Sequence, residues 1–276
     1  MTLPQPVVTR SRLTRDARAL VEDIESAGGH INAATGFERT SYQVRALAGS
    51  LPLAVEIATD LVLNARLDPE ELEREKNVIA QELAEADDAP DDKVFDLAQG
   101  EAFGGQPLGR PVLGTTASVG AATSSALRDW NRILYSPDRI VVSASGAVDE
   151  DELLARVEAA FAGVAPVAAA TRPERAAFTG GVVREARKLE QAHFVLLLPG
   201  AGATTEPAYA GRVFAEALGG GMASRLFQEV REKRGLAYSV GTSLVSHRAA
   251  SMTWGYTATK NERVGEALSV RVAGGR

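Results

Sequence analysis

Leu72-Glu73-Arg74-Glu75-Lys76-Asn77-Val78-Ile79-Ala80-Gln81-Glu82-Leu83 is the stretch around which the chain is organised. Asp68 and Pro69 ahead of it supply a cap and a first-turn proline, and acidic residues crowd its start. Leu72, Val78, Ile79 and Leu83 provide the apolar positions, so the stretch reads as a helix. At 3.6 residues per turn Glu75 and Glu82 share a face, roughly 10 Å apart along the axis. Two readings of that pair stand. It is either a solvated acidic face, or two carboxylates aimed the same way that can serve a hard cation, one binding while the other assists.

Upstream, Asp16 to Ser26 is an amphipathic helix with Ala17, Leu20, Val21 and Ile24 on one face, ended by Gly28-Gly29. Two β-like runs follow, residues 30–35 and 40–47, joined by a turn short enough for a hairpin, then a helix from Leu51 to Asn64. Downstream, a helix starts at Pro90, runs through Val94, Leu97 and Phe103, and is broken by Gly104-Gly105-Gln106-Pro107. A loop over 108–114 leads to a helix from Ser118 to Tyr135 and a strand from Arg139 to Gly146, and Asp149 caps a helix to Phe161. This order builds an α+β layer sandwich more readily than a βαβ series.

Residues 162–184 are rich in Ala, Pro and Gly and carry no sustained period. We therefore expect a first domain over 1–165, a linker over 166–184 and a second domain over 185–276. The second has a strand at 192–198, a helix at 208–218, the breaker Gly219-Gly220-Gly221, a helix at 224–233, strands at 237–245 and 251–259, and a helix capped by Asn261. The two halves share an alphabet of strands and helices, which suggests related domains of which the second is cut short.

The chain has 276 residues, 45% of them hydrophobic and 24% charged, enough for two domains with real cores. A formal net charge of −6 argues against a nucleic-acid surface. No run approaches the roughly 18 apolar residues of a membrane span, and no secretory signal is visible, which makes the cytoplasm the default compartment. With no cysteine and only His30, His193 and His247, a metal site in this chain must either rest mainly on oxygen ligands or be incomplete.

Several pieces, in order from about residue 15 to 265, resemble the M16 zinc peptidases, the family of mitochondrial processing peptidase, pitrilysin and insulin-degrading enzyme. They are Glu22 to Glu25 with Gly28-Gly29-His30-Ile31-Asn32-Ala33, Asp68 to Glu82, Pro107 to Gly114, Gly146 to Asp149, Glu190 to His193, and Gly219 to Tyr238. The resemblance implies two related α/β sandwich domains and a Zn2+ cofactor. In the family a helix carries His-x-x-Glu-His, and a Glu about 76 residues on completes a three-ligand site. Glu82 matches that third ligand and Glu75 the acidic residue seven positions earlier. Two imidazoles four apart face one way, a carboxylate closes the site, and the Glu between them takes a proton from zinc-bound water.

The decisive motif is absent from this sequence. Counted back from Glu82, its window falls on Met1 to Gln5 or Thr2 to Pro6, and neither frame holds His or Glu. The first domain is therefore expected to lack its initial strands and its zinc helix. Arg231 and Tyr238 match the family's Arg/Tyr pair, which hydrogen-bonds a substrate carbonyl and stabilises a tetrahedral oxyanion. Asn32 and Ala33 resemble the substrate-binding edge strand, where an extended peptide is held by main-chain bonds. The implied partners are a peptide substrate and a second M16 subunit, in a homo- or heterodimer. Three functions stand: a zinc endopeptidase inactive as this chain alone, a non-catalytic substrate-binding subunit, or a structural relative like the core subunits of respiratory complexes.

Overall fold

The computed structural model describes residues 17–167, 176–203, 205–248 and 250–274. In chain order the elements are α1 (Ala17–Ser26), β1 (His30–Thr35), β2 (Thr40–Arg45), α2 (Leu51–Leu63), α3 (Pro69–Asp88), α4 (Pro90–Ala102), α5 (Thr116–Gly120), α6 (Ser124–Leu134), α7 (Glu150–Phe161), β3 (Gln191–Gly200), α8 (Pro207–Gly219), β4 (Ala237–Ser246), β5 (Ser251–Lys260) and α9 (Val264–Gly274). A π-helical turn, Phe227–Glu232, lies between α8 and β4. Among the described residues every strand pair is antiparallel, and the mixture of helices and sheets is the α+β class expected from the element order.

The chain forms two compact units. One takes residues 17–81 and 112–167 of those described, the other 82–111 and 176–274, so the boundary runs through α3. Residues 82–111 belong to the second unit although they precede the 166–184 segment in the chain. Of that segment, 168–175 lie outside the described residues, as do both windows of the missing motif.

In the first unit α1 ends in a Schellman motif: the Gly29 N–H donates to the Ile24 carbonyl at 2.8 Å and Gly28 to Glu25 at 2.9 Å, with Gly28 at φ +72°. Gly29 has a second constraint, since a Cβ there would sit 2.6 Å from the Arg45 carbonyl oxygen. The chain can turn so tightly into β1 only with glycine. β1 and β2 form the hairpin, registered from His30 against Arg45 to Thr35 against Thr40. Its apolar face, Ile31, Tyr42 and Val44, packs on Leu20, Ile24, Ile57 and Leu61 from α1 and α2.

Two expectations for this unit are corrected. The helix anticipated over 118–135 is two helices. Thr115 and Ser118 form a capping box at the start of α5, Gly120 closes it, and Thr123 accepts the Ala126 N–H as the cap of α6. The strand anticipated over 139–146 is not formed among the described residues: residues 137–139 make a 3-10 turn and 140–145 find no ladder partner there. Strand propensity there is high, but a strand exists only when a neighbour takes its N–H and carbonyl groups.

In the second unit β5 is the central strand between β3 and β4, all antiparallel. α4 lies on this sheet through Phe95, whose ring meets Trp254 edge-on at 4.9 Å and stacks on Tyr256 at 5.6 Å. Phe103, fully buried, packs with Leu108, Met252 and Phe178. A second cluster, Leu218, Leu226, Val230, Leu236 and Ala267, seats the π-helical turn beneath β4. That turn replaces part of the regular helix anticipated over 224–233.

Candidate peptide-handling site

Leu72 and Ile79 are the buried residues of α3, and Glu75 and Glu82 lie three residues beyond each of them. Both carboxylates are half-buried, whereas Glu70, Glu73 and Glu85 are exposed. Seven-residue spacing therefore puts this pair at the margin of the apolar stripe and not on a solvated face. Among the described residues Oε2 of Glu82 is buried and has no hydrogen-bond partner. A carboxylate oxygen left that way costs free energy, and in native structures such a group calls for a reason.

Arg231 and Tyr238 are in direct contact. The guanidinium lies 4.4 Å from the centroid of the Tyr238 ring and 4.7 Å from that of Phe227. Its Nη1 donates to the Tyr238 main-chain carbonyl at 3.2 Å. Its Nε is 3.5 Å from Oε1 of Glu232. Arginine is the cation suited to such a slot because its planar face stacks while its edge still donates.

Two backbone irregularities produce this contact. The π-helical turn carries Phe227 and Arg231 and ends with the Leu236 N–H donating to the Val230 carbonyl and Gly235 to Arg231. In β4 the pairing with β5 slips between Ala237 and Ser239, so Tyr238 is the bulged residue. The bulge leaves Tyr238 79% exposed beside the buried Ala237, with its phenol directed to solvent. Below them, Glu229 accepts from Lys233 and Arg234, and these bonds, Lys233 first, hold its carboxyl at about 2.

Among the described residues β1 is paired on one side only, which leaves it one open edge. The Gly36 N–H donates to the Arg39 carbonyl, which makes that facing pair hydrogen-bonded. Counting back in twos through the register leaves Ile31, Ala33 and Thr35 with main-chain groups directed away from β2. In keeping with this, the Ala33 N–H donates to Oδ1 of Asn32 at 3.0 Å and not to the hairpin partner. Asn32, Ala33 and Glu75 belong to the first unit; Glu82, Arg231 and Tyr238 belong to the second, where Glu82 makes no hydrogen bond or ion pair to the other two.

Sequence reasoning overlooked Phe227, the Glu229 clamp, the π-helical turn and the bulge. The four-residue spacing from Phe227 to Arg231 is the signal that could have found the first, since such pairs meet on a helix. The two irregularities leave no comparable mark.

Comparison with known proteins supplies the family. The profile described as Insulinase (Peptidase family M16) matches residues 9–116, and that of the peptidase M16 inactive domain matches 121–270. The chain belongs to peptidase family M16. An uncharacterized zinc protease of Streptomyces coelicolor is 43% identical to this M16 chain over 236 residues, 82% of the chain and 51% of the relative. Another, of Mycobacterium tuberculosis, is 38% identical over 95% of the chain and 61% of its own length. A third, of Bacillus subtilis, is 35% identical over 89% and 60%. The chain thus spans between half and two thirds of the length of these relatives. The crystal structure of a peptidase M16 inactive domain from Pseudomonas fluorescens superposes with a TM-score of 0.91 over 98% of this chain and 66% of that one, at 19% identity. A protease from Helicobacter pylori superposes at 0.86 over 96% and 67%, at 16% identity.

Those relatives are named zinc proteases, and the donors of this M16 chain bear on whether it could hold zinc. The orphaned oxygen of Glu82 suits one ligand. Among the described residues no group of three or more His, Cys, Asp or Glu side chains comes together. His30 is exposed at the start of β1, Nδ1 of His193 is 2.9 Å from the Tyr256 hydroxyl, and His247 is buried at the turn before β5. Three protein ligands are needed for a catalytic zinc, and the described residues do not bring three together. Among the described residues no helix is long and apolar enough to cross a membrane.

Proposed function

We propose that this chain is the peptide-handling part of an M16 zinc metalloendopeptidase acting on peptides or unfolded polypeptides, and that it is inactive alone. The observation that carries this reading is the Arg231–Tyr238 pair: a cation fixed between two rings beside a phenol that faces solvent. Arg231 keeps donors beyond the one it gives to Tyr238, and these together with the phenol can hold a peptide carbonyl and its oxyanion. The open edge of β1 supports the same reading. An extended peptide can add there as a further strand, taking the Ala33 N–H from the Asn32 side chain. Glu82 serves as one carboxylate ligand and Glu75 as its support, and two imidazoles come from outside this sequence.

A second reading has its own observation: the sequence contains no His-x-x-Glu-His, while the Arg/Tyr pair is fully assembled. That combination suits a substrate-binding subunit paired with an M16 subunit that carries the motif. Cleavage of an unfolded polypeptide is measured with the chain alone, with an M16 partner bearing the motif, and with each after chelation. Chelator-sensitive cleavage only in the presence of the partner is expected. Chelator-sensitive cleavage by the chain alone refutes both readings, and failure to bind unfolded peptide removes the peptide-handling role.

A further inference from the structure

Residues 233–236 connect the π-helical turn to β4, and they fix where Arg231 and Tyr238 stand relative to each other, because the two residues lie seven apart on either side of this connection. A left-handed glycine makes the turn: Gly235 is at φ +56°, and its N–H donates to the Arg231 carbonyl at 3.0 Å. Carbonyls at the end of a helical segment have no partner within it and are open to donors from elsewhere.

The side chains that bond here are of two kinds. Lys233 and Arg234 donate to the Glu229 carboxylate, and Nη1 of Arg234 also donates to the Glu229 carbonyl at 2.9 Å, so these bonds hold the turn to itself. Arg263 reaches it from another element. It ends the 3-10 turn Asn261–Arg263 that follows β5; its Nη1 donates to the Gly235 carbonyl at 3.1 Å and its Nη2 to the Arg234 carbonyl at 3.3 Å. One planar guanidinium thus spans two consecutive carbonyls, a fit that a point-like ammonium does not reproduce. Glu266, in the first turn of α9, accepts from Nε at 3.4 Å and from Nη2 at 3.1 Å and so orients the fork.

The surroundings give this fork something firm to hold against. The buried Ala267 of α9 packs with Val230 and Leu236, and Thr259 of β5 donates to the Leu236 carbonyl. The bonds of Arg263 are exposed, so water can take their place and the fold does not depend on them. What they restrict is the pivot at Gly235, the point where the backbone has the most freedom and where a small rotation would part the arginine from the tyrosine ring.

We propose that Arg263 is a positioning residue for the Arg231–Tyr238 pair: by bonding the carbonyls of Arg234 and Gly235 it fixes the chain between the two, so that the Arg231 guanidinium stays stacked on the Tyr238 ring. The inference rests on the reading of that pair as the peptide-handling site and deepens it, since the geometry of the site then depends on a residue outside the pair.

The test uses the chain labelled with carbon-13 arginine. NMR reads the δ protons of Arg231, which the rings of Phe227 and Tyr238 shift upfield while the stack is intact. Arg263→Ala should move that signal toward the position of an unstacked arginine and, by fluorescence anisotropy, raise the dissociation constant for a labelled unfolded peptide about threefold to tenfold. Arg263→Lys, which keeps the charge and a donor for one carbonyl, should recover part of both, and Glu266→Ala should produce a smaller change in the same direction. Arg156→Ala, on α7, should leave both readouts unchanged. In an Arg231→Lys background Arg263→Ala should weaken binding little further, because both changes act through one contact. Circular dichroism and Trp254 fluorescence confirm that each variant is folded; if Arg263→Ala is not, Arg263→Lys and Glu266→Ala decide. An Arg231 signal that keeps its stacked position without the Arg263 side chain, or a binding loss equally large in the Arg231→Lys background, overturns the proposal. If the unaltered chain binds no peptide, the peptide-handling reading falls and the Arg231 signal alone decides the positioning.

Discussion

Replacing Glu82 with leucine should stabilise the second unit. Among the described residues Oε2 of Glu82 is buried with no partner, on a helix whose neighbouring positions face a core. An unsatisfied buried polar atom costs about 1–3 kcal/mol. Because the side chain as a whole is only half-buried, the lower end applies, so the gain is about 1 kcal/mol. Leucine and glutamate have nearly equal helix propensity, so α3 itself contributes almost nothing to the difference. With a urea slope of about 2 kcal/mol/M, the unfolding midpoint should rise by about 0.5 M. The two tryptophans, Trp130 and Trp254, fall in different units. A Trp130→Phe background therefore makes fluorescence report the second unit through Trp254. Glu82→Gln is the control: it keeps a polar atom at the orphaned position and should gain little. A lower midpoint for Glu82→Leu, or an equal rise for Glu82→Gln, would refute the reasoning and show that the carboxylate supports the fold.

Other expectations are equally concrete. Phe103→Ala removes a fully buried ring and should cost about 3–5 kcal/mol, read from the same Trp254 signal. Arg231→Lys loses the planar stack between Phe227 and Tyr238 and should weaken binding of a labelled unfolded peptide about tenfold, measured by fluorescence anisotropy. Tyr238→Phe keeps the stack, so it should retain peptide binding more nearly than Arg231→Lys does. Glu229 is a depressed carboxyl, ordinarily near 4.5 and here about 2, so its contribution is full above 4.5 and is lost as pH falls through 2. Carboxyl carbon NMR should place its titration well below that of other glutamates, and Glu229→Gln should remove that part of the acid dependence.

Much of the fold could be read from local chemistry. Asp149 accepts the Glu152 N–H at the start of α7, as a capping aspartate should, and Gly28-Gly29 closes α1 by the motif that such a pair signals. The hairpin register follows from two β-prone runs and a short turn. Residues 139–146 show the limit. Their composition is that of a strand, but pairing is a property of the neighbours, and propensity carries no information about them. The π-helical turn is hidden for a different reason: six residues are too few to separate its period from that of an α-helix. At the site, residue types alone left Glu75 and Glu82 between two readings, and nothing in them signalled that both side chains are half-buried. The Arg231–Tyr238 contact depends on a bulge, and Ala237-Tyr238-Ser239 looks like any strand start.

The bulge at Tyr238 also bears on how related sequences can be compared. Side chains on a strand alternate, and a bulge is one extra residue, so deleting any one residue between Gly235 and Ser239 would shift the tyrosine relative to the arginine or turn it to the opposite face. A relative that aligns with this chain through a single-residue gap in that interval keeps both letters and loses the stacked pair. The distance along the chain from Arg231 to Tyr238 is thus as diagnostic as the two residues, and alignments scored on identity alone will overcount proteins that possess the arrangement.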